Sequence, residues 1–363
     1  MKNYSIKNLF FLAMLFSVFI TYAQDTETEE ESETKKKFTF GGSADVYYRA
    51  NLGAPNGGEF GQTPNTSFAN GNGFSIGMAN VILGYEGKKV GAVADLVFGP
   101  RGVDAVFGSL IWDIDNDGTA DLGNSSQIVN QLYVYWNVSD KVTLTFGNFN
   151  TFLGYEVISP TGNFNYSTSY MFSYGPFSHT GLKMDWAITD DFSLMLAAMN
   201  DPDFTNFNPE NTYSFGAQLG YKGTYLNFVY GYQFQVDLTT GFDISDSFYL
   251  GLNATYFVDN DTDGSFYGVA IYPQLATSDN FTIGFRAEYF GEGEGGVGAI
   301  GGYDENGDAN AFEFTLTGNY AIGDLMIIPE FRIDTTSEDT FLNNDFEPTG
   351  SLASFLVAAV YKF

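Results

Sequence analysis

Ser178 and His179 stand side by side, Asp113, Asp115, Asp117 and Asp121 alternate through one acidic stretch, and Asp259, Asp261 and Asp263 through another. A serine beside a histidine invites a hydrolase reading, with the imidazole as base, the hydroxyl as nucleophile and an acid to orient them. Adjacency counts against it, because neighbours on a strand point to opposite faces. Alternating carboxylates that end on Gly118 or Gly264 match the opening of a calcium loop, which wraps oxygen ligands around a hard cation and turns sharply at glycine. Its twelfth position should carry a bidentate Glu, but Asn124 and Ala270 stand there. Calcium in these loops would therefore be weak and structural, the bland reading being a solvated acidic turn.

A third set of charges is spread along the chain and needs a common scaffold. Asp45, Arg49, Asp95, Lys183, Asp185, Arg286, Glu288, Glu313, Glu330 and Arg332 fall at alternate positions of segments whose other positions are apolar. In the first such segment Phe38, Phe40, Gly42, Ala44, Val46 and Tyr48 share one parity, and Thr39, Ser43, Asp45, Tyr47 and Arg49 the other. Leu132, Val134 and Trp136 oppose Gln131, Tyr133 and Tyr135, and Leu182, Met184, Trp186 and Ile188 oppose Lys183 and Asp185. A period of two with one greasy and one charged side is a β-strand between lipid or core and water. Charges of both signs on the inner side need water or one another, and a solvated lumen supplies both.

Composition agrees. The 363 residues include 37 Phe, 24 Tyr and 42 Gly, a mixture that favours strands and turns over helices. The absence of Cys excludes thiol catalysis, disulfides and thiolate metal sites. With 44 acidic against 15 basic residues, nucleic acid is a poor partner. Lys2 and Lys7 precede the apolar run Leu9 to Ile20, and Ala23 precedes a polar stretch, so residues 1–23 read as a cleaved secretory signal peptide. Its removal leaves 13 basic and 44 acidic residues, a charge of −31. Residues 24–37 form an acidic leader that cannot bury apolar surface and is expected to be disordered. No later segment has the apolar length of a transmembrane helix, so insertion after export requires a closed barrel of residues 38–363.

Short links such as Ser139 to Lys141 and Gly323 to Asp324 alternate with long connections such as Asn51 to Gly73 and Asn150 to Pro176. Short periplasmic turns and long external loops are the habit of transmembrane barrels. Counting segments predicts an all-β, antiparallel transmembrane β-barrel of about sixteen strands, with fourteen to eighteen as the range. The weak point is Tyr225 to Asp243, where a tight hairpin near Gly231 to Phe234 is required with little turn chemistry to make it.

The chain closes on Phe355, Val357, Ala359, Tyr361 and Phe363, all of one parity. This ending resembles that of bacterial outer-membrane barrels, whose last strand seals against the first and whose terminal aromatic is read by the assembly machinery; Tyr361 and Phe363 would carry that signal. The run from Gly147 through Glu156, then Pro160, Asn165 to Tyr170 and Gly175 to Gly181, resembles the signature region of the β-barrel porin-2 (OmpL-like) family of Gram-negative outer-membrane proteins. The resemblance implies a passive pore without cofactor or catalysis, and names no solute.

The signature region is also rich in rings, Phe149, Phe152, Tyr155, Phe164, Tyr166, Tyr170, Phe172, Tyr174 and Phe177 among them. Rings in such number pack against something rather than face water. The expected place is the lumen, with Glu156 and His179 near the constriction; an external cap is the alternative. Inner-parity acids outnumber bases two to one, which predicts cation preference. The function expected is diffusion of small hydrophilic solutes across the outer membrane, with a homotrimer as an expected assembly. The rivals are a surface binding or adhesion barrel with calcium-stabilised loops and, less favoured, a barrel hydrolase.

Overall fold

The computed structural model describes residues 36–107, 125–205, 208, 211–293 and 295–363. The signal segment 1–23, the leader up to residue 35, and Asp113, Asp115, Asp117 and Asp121 lie outside the described residues.

The first nine strands are β1 (Lys37–Leu52), β2 (Gly73–Glu86), β3 (Val90–Phe98), β4 (Val129–Ser139), β5 (Val142–Asn150), β6 (Ser178–Ala187), β7 (Phe192–Met199), β8 (Ser214–Tyr221) and β9 (Thr224–Tyr230). The next six are β10 (Gln233–Ser245), β11 (Phe248–Asp259), β12 (Ser265–Ser278), β13 (Phe281–Gly293), β14 (Ala309–Ile322) and β15 (Leu325–Thr336). A small hairpin, β16 (Phe341–Leu342) with β17 (Pro348–Thr349), precedes the final β18 (Ser351–Lys362). All but the small hairpin join one closed antiparallel barrel of sixteen strands, in which β15 pairs with β18 and β18 with β1. Short helices α1 (Pro100–Ala105) and α2 (Tyr170–Tyr174) lie in the long connections. Among the described residues no helix is long and apolar enough to cross a membrane.

Closure is a matter of register and space. Ser43 faces Lys362, Val46 faces Ala359 and Leu52 faces Ala353. Gly42 and Phe363 exchange backbone hydrogen bonds of 3.0 Å in both directions, which carries the ladder to the last residue. A Cβ on Gly42 would stand 2.0 Å from the Asn80 carbonyl oxygen and 2.9 Å from the Phe363 ring, so only glycine lets the three backbones meet there. The Phe363 ring lies 5.8 Å from Phe40 and 6.4 Å from Tyr361.

One parity points outward and is apolar almost without interruption: Phe38, Val46, Leu132, Phe146, Val269, Phe312 and Phe355 are all exposed, and Phe74 is 92% so. A belt of this kind matches a lipid environment. The hairpin that sequence chemistry explains least is a two-residue turn at Gly231 and Tyr232, between β9 and β10. The neighbouring loop steadies it: Asn260 donates its backbone N–H to the Tyr232 carbonyl at 3.1 Å and its amide to the Gly231 carbonyl at 2.9 Å. The turn borrows polar partners that are distant in sequence.

Candidate functional site

The connection between β5 and β6 folds into the barrel and fills its middle. Its backbone N–H groups have no ladder to join, and a buried N–H must find an acceptor. Wall carboxylates supply them. Glu330 on β15 accepts from the N–H groups of Tyr166 and Ser167 at 2.9 and 3.1 Å. Glu288 on β13 accepts from those of Tyr170 and Met171 at 2.8 and 2.7 Å. Glu156, within the loop, takes the N–H and hydroxyl of Ser169 at 2.8 and 2.5 Å, while Ser169 Oγ accepts from Phe172 N at 3.1 Å and so caps α2.

Arginines complete the grip. Arg286 reaches Glu156 at 2.6 Å, Glu313 at 2.8 Å and the Ser167 carbonyl at 2.7 Å. Arg332 donates to the Thr168 carbonyl at 2.7 Å and pairs with Asp334 at 2.7 Å. Opposite them the Tyr166 hydroxyl donates to Asp45 at 2.5 Å. Burial raises the Tyr166 and Tyr155 phenols above the ordinary tyrosine range, so both remain neutral donors.

Asp45, Arg49, Asp95, Glu156, His179, Arg286, Glu288, Glu313, Glu330 and Arg332 are thus buried, none more than 4% exposed. Most of them belong to the seam between loop and wall rather than to an open water-filled bore, while Asp95 lies among wall amides and Arg49 against the β1–β2 connection. Gaps in that seam, one beside Arg49, Glu330 and Arg332 and one beside Leu153, Gly154 and Asp237, are each of about 10 Å³, room for one water. Asp95 is satisfied by amides, with Asn80, Asn130 and Gln131 all donating to it. Arg49 donates to Asn72 and to the Gln62 carbonyl, and has no carboxylate at ion-pair distance among the described residues. Lys183 and Asp185 differ from the rest: they pair at 3.2 Å and their side chains are 24% and 44% exposed.

Ser178 and His179 do not form a nucleophile and base. His179 Nε2 meets Thr151 Oγ1 at 3.0 Å, its Nδ1 has no partner, and its ring sits 5.1 Å from Phe152 and 6.2 Å from Phe149. The buried carboxyl of Asp203, pushed up to about 7 by desolvation, accepts from the N–H groups of Phe177 and Ser178 and orients no imidazole. Asp259 closes its own turn, accepting from the N–H groups of Asp261 and Thr262 at 2.8 and 3.0 Å, while Asp263 takes a φ of 62°. Among the described residues no three His, Cys, Asp or Glu side chains are grouped to hold a metal.

Sequence reasoning missed Arg101. On α1, entered through Gly99 at a φ of 95° and Pro100, it donates to the carbonyls of Ile158 and Tyr166 at 2.8 and 3.2 Å. Its guanidinium lies 4.4 Å above Phe68. The available signal was a rare base placed directly after a Gly-Pro break.

Comparison with known proteins agrees with this architecture. The barrel of the outer membrane channel DcaP of Acinetobacter baumannii superposes with a TM-score of 0.54 at 10% identity, covering 93% of this chain and 100% of that one. An anion-selective porin from Comamonas acidovorans gives 0.56 at 11% identity over 91% and 100%. OmpT of Vibrio cholerae in its trimer form gives 0.51 at 10% identity over 90% and 99%. At such identities the likeness is one of fold. A search among curated proteins finds no match. The family described as "Putative beta-barrel porin-2, OmpL-like" matches residues 37–363, nearly all of the barrel and its loops, and the chain belongs to that family of outer-membrane, porin-like barrels.

Proposed function

We propose that the protein is an outer-membrane channel for passive diffusion of small hydrophilic solutes, that it prefers cations, and that it works as a homotrimer seated in outer-membrane lipid after delivery by the barrel assembly machinery. The single observation that carries the ionic preference is the set of wall carboxylates without a cationic partner. Asp45, Asp95 and Glu330 have no ion pair among the described residues, whereas Arg286 and Arg332 are both committed to acids. Acids left without a counter-charge make the wall around the loop net negative, and a net-negative wall favours cations in a nearby passage. Reversal potentials across a planar bilayer under a salt gradient test it, and clear anion selectivity refutes it.

The filled bore favours a second reading, a surface binding or adhesion barrel whose loops hold calcium and an outside partner. Liposome swelling with small sugars separates the two. A channel admits them, and a plugged binder does not.

A further inference from the structure

The lumen loop is held unequally on its two sides. Toward β1 and β13 to β15 it is latched by Glu288, Glu330, Arg286 and Arg332, and the wall beside Tyr166 is dry: Ile328, Leu356 and Ala358 pack with Tyr47 on its ring. Undocking that side would strand buried charges, which is strongly unfavourable. Toward β5 to β8 the loop segment 151–153 meets the wall mainly through rings and apolar side chains, Phe152 and Leu153 against Phe149, Met195 and Met199. The polar ties are Gln218 donating to the Phe152 carbonyl at 3.3 Å, His179 meeting Thr151, the Thr151 N–H on the Phe177 carbonyl at 2.9 Å and, just past the segment, the Gly154 N–H on Asp237 at 2.9 Å; none is an ion pair. Gly216 leaves the space the Phe152 ring occupies, since a Cβ there would be 2.5 Å from it.

Immediately beside this ring contact the wall is wet. The Lys183 ammonium sits 5.3 Å over Phe149, partly exposed and paired with the more exposed Asp185. We infer that solute passes along the β5 to β8 sector, where segment 151–153 swings off the rings while the rest of the loop stays latched, and that the Lys183–Asp185 pair is the specificity-determining charge met on the way. The inference rests on the channel reading and adds to it a route and a moving part. Parting the rings exposes apolar surface but breaks no ion pair, with Gly154 staying on Asp237 as the hinge, so this side opens at lower cost than the other.

The chain has no cysteine, so an introduced thiol is the sole target of a methanethiosulfonate reagent. In planar bilayers, modification of Lys183→Cys should lower single-channel conductance about twofold or more. Ala358→Cys, on the dry side, should be silent. Phe152→Ala should raise the open fraction. If Lys183→Cys does not assemble, Asp185→Cys gives the same readout. A parent channel that conducts while Lys183→Cys or Asp185→Cys stays silent to the reagent, or in which Ala358→Cys is the one that blocks, overturns the route alone. A parent that carries no current overturns the channel reading and the route with it.

Discussion

Replacing Arg286 by Met removes the cation on which loop docking turns. Its guanidinium is fully buried and serves two acids, Glu156 at 2.6 Å and Glu313 at 2.8 Å. Breaking one buried pair costs about 3–5 kcal/mol, because it leaves a charge without a partner in a dry site. The two losses do not simply add, since they share one cation and Glu313 keeps Arg332 at 3.8 Å. At 1.36 kcal/mol per tenfold, docking should weaken by about 10² to 10³-fold or more. Amide hydrogen exchange reads this directly: Ser169, whose N–H is held by Glu156, should exchange faster by that factor, with Tyr166, Ser167, Tyr170 and Met171 following. Strand amides of the barrel should not change. Adding Glu156→Gln to Arg286→Met should restore part of the protection by neutralising a stranded carboxylate. Exchange at Ser169 within about threefold of the parent, in a variant that assembles, would refute the latch.

Three further changes have definite outcomes. Gly42→Val forces a Cβ onto the Asn80 carbonyl and the Phe363 ring, and should prevent closure, read as loss of the heat-modifiable band on gels; Gly57→Ala, with nothing within 4 Å, should assemble normally. Tyr166→Phe deprives Asp45 of its hydroxyl donor, leaving the Met78 N–H at 3.1 Å, and should cost loop docking about 1.5–3 kcal/mol by the same exchange measurement. Asp259→Ala removes an acceptor shared by two turn N–H groups, and should cost about 1 kcal/mol locally, seen as faster proteolysis of that loop without a change in barrel stability.

The barrel was legible because lipid on one side and polar groups on the other enforce a period of two over every strand. Phe38, Val46, Leu132 and Phe355 declare the outer face without any knowledge of partners. The loop's rings likewise announce that it must pack. What its rings cannot reveal is which acceptor each loop N–H will find, since Tyr166 and Glu330 are 164 residues apart and Tyr170 and Glu288 are 118 apart. The parity of Glu288 and Glu330 gives an inner position, and parity alone reads as pore lining. Burial by a distant segment is a three-dimensional fact. A usable hint was present on β18, where Leu356 and Val360 stand at inner positions although a wet wall has no need of them. They are dry because the Tyr166 cluster rests against that wall.

That burial also changes how the proposed cation preference should respond to salt. Exposed charges such as Lys183 and Asp185 are screened by ions around them, over about 10 Å at 0.1 M but about 3 Å at 1 M. Carboxylates enclosed by protein are screened far less, because mobile ions cannot surround them. Asp45 and Glu330 are each at most 3% exposed, so their field on a passing ion should persist where that of the exposed pair fades. Reversal potentials measured at a fixed salt ratio, first near 0.1 M and then near 1 M, separate the two sources. A preference that survives belongs to the buried belt, which would then serve twice, holding the loop and biasing the passage. A preference that vanishes at high salt belongs to exposed groups, and would remove the buried carboxylates from selectivity and leave them the loop alone.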